Sequence, residues 1–330
     1  MKKYASLLLF ALLLNGCDDG DLTVDTIDFD DTSITSQSCD PLTNNLIYRL
    51  KPQESLLIQL PDDKIINDPT LEGKPLIYDI DNSTYRVVYR AYDGTVATAN
   101  ICGAIPPTSP KVTQEWQATA GQIVITTTPI TDNTATDGST KITGYNHNIN
   151  FKNITFLKPS GPQVQEEFSF GDYQTTVTPV VVTFSDENAD YCPDTKKIYN
   201  DNTVSSLVLE NIADLIVNEA TPTGTPRTSL INLNGTTNKL YYRTYSGGLP
   251  VDTKSYFCTE KTPTTPAVLD TWVGQDGQAN VSGIIEVTTT NDLKVFRHKI
   301  VLRNATLQKG NSTFKLATTF VLGTVTVVVP

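Results

Sequence analysis

The chain contains two histidines, His147 and His298, and they are its best candidates for a base or a metal ligand. Imidazole titrates near neutral pH, so it can serve acid–base catalysis or bind a metal through its neutral nitrogen. Each histidine sits in a stretch that occurs twice. The first reads Tyr145-Asn-His147-Asn-Ile149-Asn-Phe151-Lys-Asn153-Ile-Thr155. The second reads Phe296-Arg-His298-Lys-Ile300-Val-Leu302-Arg-Asn304-Ala-Thr306, 151 residues later. Neither has Cys, Asp or Glu at metal-ligand spacing. No Gly-x-Ser-x-Gly elbow is present, so a Ser-His-Asp site would need members from distant parts of the chain. Alternation places each histidine on the apolar side of a strand, with Tyr145, Ile149 and Phe151 in one copy and Phe296, Ile300 and Leu302 in the other. The expected role is a core histidine with a hydrogen-bond partner. A hydrolase would need a carboxylate and a Ser or Cys hydrogen-bonded to the ring.

Other residue types carry weaker chemistry. Trp116 and Trp272 suit sugar stacking if exposed, and otherwise pack near a cystine. Tyr89-Arg-Ala-Tyr92 and Tyr242-Arg-Thr-Tyr245 place two tyrosines three apart. On a flat strand one of each pair, Tyr92 or Tyr245, is then expected to face a ligand. The adjacent carboxylates Glu166 and Glu167 point to opposite faces of a strand, so they are not a glycosidase pair. No Gly-rich phosphate loop is present, and no cofactor or metal is expected. A formal charge of −11 argues against a nucleic-acid partner, which requires clustered Lys and Arg.

The elements that position these residues are duplicated as well. Ser55–Asn67 matches Ser206–Asn218, Ile80–Tyr92 matches Leu233–Tyr245, Cys102 matches Cys258, Trp116 matches Trp272, and Phe168 and Gly171 match Phe320 and Gly323. The series is colinear except for extra residues between Trp272 and Ile285. A period of this length means tandem domains and not a solenoid. Seven to nine strands per domain, punctuated by Asp93-Gly94, Asn234-Gly235 and Gly247-Gly248, imply an all-β fold of two homologous β-sandwiches with Ig-like architecture. A shift of phase at Asn153 and Asn304 implies a bulge or a crossing between sheets. A helical turn is expected near Asn211–Asn218. The expected domains are 32–178 and 179–330, joined directly near Thr178–Pro179 without a flexible linker.

The N-terminus carries an address. Lys2 and Lys3 precede an apolar run, Ala5–Leu14, too short to span a bilayer, which takes roughly 20 residues. The run ends in Leu14-Asn15-Gly16-Cys17, which resembles a bacterial lipobox, although Asn15 is unusual there. Residues 1–16 then form the signal peptide, and Cys17 carries diacyl or palmitate-type lipid that holds the chain on a membrane. Residues 17–31 form an acidic tether, with seven Asp and no Lys or Arg from 18 to 31. In an exported protein the other four cysteines are expected as disulfides. The duplication selects Cys39 with Cys102 and Cys192 with Cys258, one pair per domain.

The signal, the acidic leader, the duplicated cysteine-bearing domains and the Tyr-x-His-x-Ile strand together resemble uncharacterised surface lipoproteins of flavobacteria and related Bacteroidetes. That resemblance implies an outer-membrane location facing outward. In other Gram-negative bacteria, Asp after the lipid cysteine instead marks inner-membrane retention. The first functional expectation is a lipid-anchored structural or binding protein. The alternative is a glycan-binding accessory protein, similar in layout to the starch-utilisation binding lipoproteins, which requires an exposed Trp116, Trp272 or Tyr at a cleft.

Overall fold

A computed structural model describes residues 27–330 except 30, 32, 43, 186 and 213. Cys17, the signal segment and most of the acidic tether lie outside the described residues. The chain is all-β, as its alternation implies, and the described residues form eight strands in the first repeat and eleven in the second. Repeat 1 contains β1 (Gln37–Ser38), β2 (Leu46–Lys51), β3 (Glu54–Gln59), β4 (Leu76–Asp79), β5 (Arg86–Tyr92), the short helix α1 (Thr98–Cys102), β6 (Val112–Asp132), β7 (Lys141–Lys158) and β8 (Gly161–Thr176). Repeat 2 contains β9 (Asp190–Cys192), β10 (Lys197–Asp201), β11 (Ser205–Glu210), β12 (Arg227–Leu230), β13 (Lys239–Tyr245), α2 (Lys254–Phe257), β14 (Val268–Gly274), β15 (Ile284–Asp292), β16 (Val295–Arg303), β17 (Thr306–Lys309), β18 (Ser312–Lys315) and β19 (Thr319–Val328). All ladders between these strands are antiparallel.

Repeat 2 shows the plan most plainly. A seven-stranded sheet, β18-β17-β14-β13-β11-β10-β9, faces a four-stranded sheet, β12-β15-β16-β19. Leu207, Leu209, Leu240, Trp272 and Leu307 from the larger sheet meet Ile285, Val287, Ile300, Leu302 and Leu322 from the smaller in one core. Repeat 1 has the same strand order, but the chain does not break between layers. The N-terminal part of β6 pairs with β5 and its C-terminal part with β4, so β6, β7 and β8 each run through both layers. The crossing lies where the alternation changes phase. Asn153 has φ 50°, and Gly121 has φ 114° opposite it. A Cβ at Gly121 would meet Ile154 Cα at 2.6 Å, so only glycine lets the two strands bend past one another.

The larger layer is buried on both faces. Leu56 and Ile58 point into the main core, while Leu57 joins Tyr48, Val88, Tyr92, Val96 and Ile101 in a second cluster on the other side. Helix α1 and the Cys39–Cys102 disulfide, with Cα atoms 5.3 Å apart, cover that second face. Helix α2 and Cys192–Cys258, at 5.2 Å, do the same over Tyr199, Val208 and Tyr245. A sheet covered on both sides needs continuous apolar runs, which β3 and β11 have. The two short helices were not expected from the sequence. The turn expected near Asn211–Asn218 is instead a single 3-10 turn at the matching place in repeat 1, Asp62–Lys64.

The repeats touch directly. The loop between β6 and β7 reaches across to repeat 2, where Thr140 N–H donates to Lys315 O at 3.0 Å and Thr318 N–H donates to Asp137 O at 2.8 Å. Lys315 N–H returns a bond to Thr140 Oγ1 at 2.9 Å. The Asp68 carboxylate accepts Asn311 N–H at 2.8 Å, and Asn311 Nδ2 donates to Pro69 O at 2.8 Å. Ile142 and Tyr145 of β7 pack into the core of repeat 2, and Tyr145 Oη lies 2.8 Å from Ser312 Oγ.

Candidate functional site

The two histidines occupy matching networks. His147 lies on β7 directly opposite Thr127 of β6, and Thr127 Oγ1 is 2.9 Å from Nδ1. Nε2 is 3.2 Å from Asn67 Oδ1 and 3.1 Å from Thr175 Oγ1. In repeat 2, Thr289 Oγ1 is 2.9 Å from His298 Nδ1, and Asn218 Oδ1 is 3.2 Å from Nε2. A carboxamide oxygen only accepts, so Nε2 carries the proton and Nδ1 accepts from the threonine hydroxyl. Arg227 Nη1 donates to Thr289 Oγ1 at 2.9 Å, which leaves that hydroxyl's own proton for His298.

Hydroxyl, imidazole and amide in a row have the connectivity of a nucleophile, its base and the group that orients the base. Burial decides against that use. Both histidines are 0 % exposed and both threonines 1 %, so no substrate atom reaches the hydroxyl. Burial also holds both rings neutral. It pushes the His147 pKa down to about 4, and it lowers that of His298 with the Arg227 guanidinium adding to the effect. No group of three His, Cys, Asp or Glu among the described residues could hold a metal ion.

What the networks do is fasten a loop. Thr70 N–H donates to Thr127 O at 3.0 Å and Thr70 Oγ1 accepts Thr127 N–H at 3.2 Å. Thr221 and Thr289 repeat both bonds at 3.0 and 3.1 Å. Asn67 and Thr70, or Asn218 and Thr221, thereby close the chain between β3 and β4, or between β11 and β12, onto the sheet. The asparagines and threonines were legible only as conserved offsets within the duplication.

The aromatic candidates require correction. Trp116 and Trp272 are 3 % and 7 % exposed, too little for a sugar to stack on either. Trp116 lies against Tyr89, with ring centroids 4.6 Å apart, and Lys158 Nζ sits 4.1 Å from its ring centre. Trp272 meets Phe314 edge-on at 4.9 Å. Both indole N–H groups are buried without a hydrogen-bond partner among the described residues. Tyr92 and Tyr245 are buried too, together with Tyr89 and Tyr242. Spacing of three should separate the faces, and it does: Tyr89 enters the main core and Tyr92 the cluster beneath α1. Neither face is open to solvent. The hydroxyls are satisfied internally, Tyr92 by Ser55 at 3.1 Å and Tyr245 by Ser206 at 2.7 Å, and burial pushes the Tyr245 phenol up to about 12.

One residue with no sequence signal beyond a cation inside an apolar strand is Arg49. It is buried, and its guanidinium donates to four backbone carbonyls, those of Phe29, Asp31, Ile34 and Phe170. It fastens the last residues expected in the acidic tether, Phe29 and Asp31, and Ile34 beyond them onto repeat 1. Its counterpart Asn200 donates to Leu322 O at 2.9 Å, the carbonyl that matches Phe170. Gly171, at φ 103°, leaves room for the guanidinium, because a Cβ there would lie 2.4 Å from Arg49 Nη1.

No protein-family model, curated protein or solved structure matches the chain. Among the described residues no helix is long and apolar enough to cross a membrane.

Proposed function

We propose that this protein is a lipid-anchored lipoprotein of the outer membrane, facing outward, whose two disulfide-bonded β modules serve a binding or structural role without catalysis. The observation that carries the non-catalytic part is the sealing of His147 and His298, each neutral and each committed to fastening a loop. Anchoring rests on Lys2-Lys3, the apolar run and Cys17, followed by the acidic tether. Membrane contact then comes through lipid on Cys17, and a glycan or a protein is the class of partner for the modules. The Arg49 hydrogen bonds to the carbonyls of Phe29, Asp31 and Ile34 support this arrangement, since they hold the end of the tether to repeat 1.

The test is metabolic labelling with an alkyne-bearing palmitate, combined with protease treatment of intact cells. The native chain should take the label, and Cys17→Ser should lose it. Degradation of the native chain by external protease supports outward display. Labelling that persists in Cys17→Ser, or a chain protected in intact cells and cleaved only after lysis, sinks the anchoring or the orientation respectively.

A further inference from the structure

The duplication separates what the fold needs from what one repeat has acquired. Beside the His147 network a pocket of about 400 Å³ opens between β1, the segment after β3, and β8. Its polar lining includes Asn45, Asp62, Asn67, Tyr173 and Thr175 beside Ser38, with Ile47, Leu60 and Ile65 on its apolar wall. The register of the ladders gives the counterparts in repeat 2. Tyr173 pairs with His147 where Val325 pairs with His298, and Thr175 pairs with Tyr145 where Val327 pairs with Phe296. Asn45 corresponds to Lys196, and Asp62 falls at Ala213 in the aligned sequence. Only Asn67 is retained, as Asn218, and it is the residue the histidine lock uses in both copies. Repeat 2 therefore builds the same lock without a tyrosine, a threonine or an aspartate at the mouth. The plan of the fold is therefore kept without them, although in repeat 1 Thr175 also bonds Asn67 and His147.

We propose that this pocket of repeat 1 binds a neutral, hydroxyl-rich small molecule of one to two sugar rings. The volume suits such a ligand, since small-molecule sites begin at about 300 Å³. The lining holds no Lys or Arg and a single carboxylate, Asp62, which disfavours anions. Asp62 already accepts from Asn45 Nδ2, and Asn45 also donates to Leu60 O at 2.8 Å, so this part of the wall is fixed before a ligand arrives. Asn67 Oδ1 is occupied by Thr175, at 2.7 Å, and by His147, which leaves the Asn67 amide N–H₂ as a donor. The Tyr173 hydroxyl, with no internal hydrogen bond among the described residues, both donates and accepts, and its half-buried ring supplies an apolar surface. Fixed acceptors, a free amide donor and a phenol match hydroxyl groups, which are donors and acceptors at once. The buried Trp116 and Trp272 take no part. The inference rests on the protein being a binding module, but not on its anchoring.

The experiment is calorimetric titration of the full chain, in a sugar-free detergent, with maltose, cellobiose, xylobiose and mannobiose, each up to about 10 mM, well above a ~1 mM dissociation constant. Binding of at least one disaccharide is expected. The double variant Tyr173→Val, Thr175→Val installs the residues that repeat 2 carries, and it should bind at least about tenfold more weakly while staying folded, with a small drop in melting temperature because Thr175 also bonds Asn67. Failure of all four sugars to bind overturns the proposal, as does undiminished binding by a folded double variant. Should the double variant not fold, the resonance of a ring-labelled Tyr173 in the native chain takes its place. A shift on titration supports the pocket, and an unmoved resonance overturns it. Absence of label from the native chain, or its persistence in Cys17→Ser, bears on anchoring alone, so the two failures are distinguishable.

Discussion

Repeat 1 and repeat 2 share a plan and differ in how the chain executes it. The histidine locks, the disulfides under short helices, the buried tryptophans and the bulges at Gly171 and Gly323 recur at matching places. Yet repeat 1 passes between its layers with three continuous strands of 21, 18 and 16 residues. Repeat 2 makes the same passages with six shorter strands, and between β14 and β15 it inserts a loop at Gln275–Gly283. The place of crossing is the same, because both repeats put Asn with positive φ there, Asn153 and Asn304. Continuity is free to vary, because an inserted loop at a crossing disturbs neither layer's ladder. A second difference concerns the joint. The β6–β7 loop of repeat 1 is long and reaches repeat 2, whereas the turn between β15 and β16 is only two residues, Leu293 and Lys294. The clasp between repeats is built by one of them.

Substitutions can test how far the equivalence extends. The largest effect is expected for the tryptophans. Trp116→Ala should destabilise by about 3–5 kcal/mol, with Trp272→Ala in the same range but smaller, because Trp272 lacks the lysine that Trp116 carries over its ring. Urea unfolding of both variants makes the comparison, and a larger loss for Trp272→Ala would show that the two cores are not equivalent.

Arg49→Ala should cost about 3 kcal/mol, since it strands the buried carbonyls of Phe29 and Phe170 and two half-buried ones at once, whereas Asn200→Ala should cost about 1 kcal/mol. Hydrogen exchange sharpens this, with protection lost around Phe29 and Ile34 in the arginine variant alone.

The histidines predict a pH dependence. A ring held at about 4 when folded and near 6.5 when unfolded leaves stability unaffected above pH 6.5. Below that the unfolded state takes up a proton that the folded state refuses, so stability falls between pH 6.5 and 4 and then levels for this group. For His147 the loss is on the order of 3 kcal/mol when fully developed. His298 shifts in the same direction, so both repeats should weaken together. Denaturation midpoints that stay flat from pH 7 to 4 would contradict the burial of both rings.

The smallest effect is expected at the joint. Asp68→Ala removes an exposed acceptor for Asn311 N–H and should cost about 0.5–1 kcal/mol. Its signature is loss of coupling, so that a single thermal transition broadens or divides into two. A transition as sharp as that of the native chain would mean that the β6–β7 loop alone holds the repeats together.

Much of this was legible along the chain. The colinear matches gave the duplication, and a period of two placed His147 and His298 on buried faces. One cysteine pair per repeat gave the disulfides. The phase shifts at Asn153 and Asn304 marked the crossings. The tyrosines and tryptophans were not legible, for a definite reason. Alternation reports which side of a strand a residue takes, and the spacing of Tyr89 and Tyr92 does put them on opposite sides. What covers each side depends on segments far away in sequence, here α1 and the cystine it carries.

By itself, then, the sequence determined the strand periodicity, the two-fold repetition, the covalent pairing and the inward position of the histidines. These follow from local geometry and from comparing the chain with itself. Only the tertiary structure decided that the larger sheet is buried on both faces, that Arg49 holds the entering segment by its carbonyls, and that Asn67 and Thr127 meet at one imidazole. Each of those depends on which distant segments pack together, and residue spacing carries no information about that.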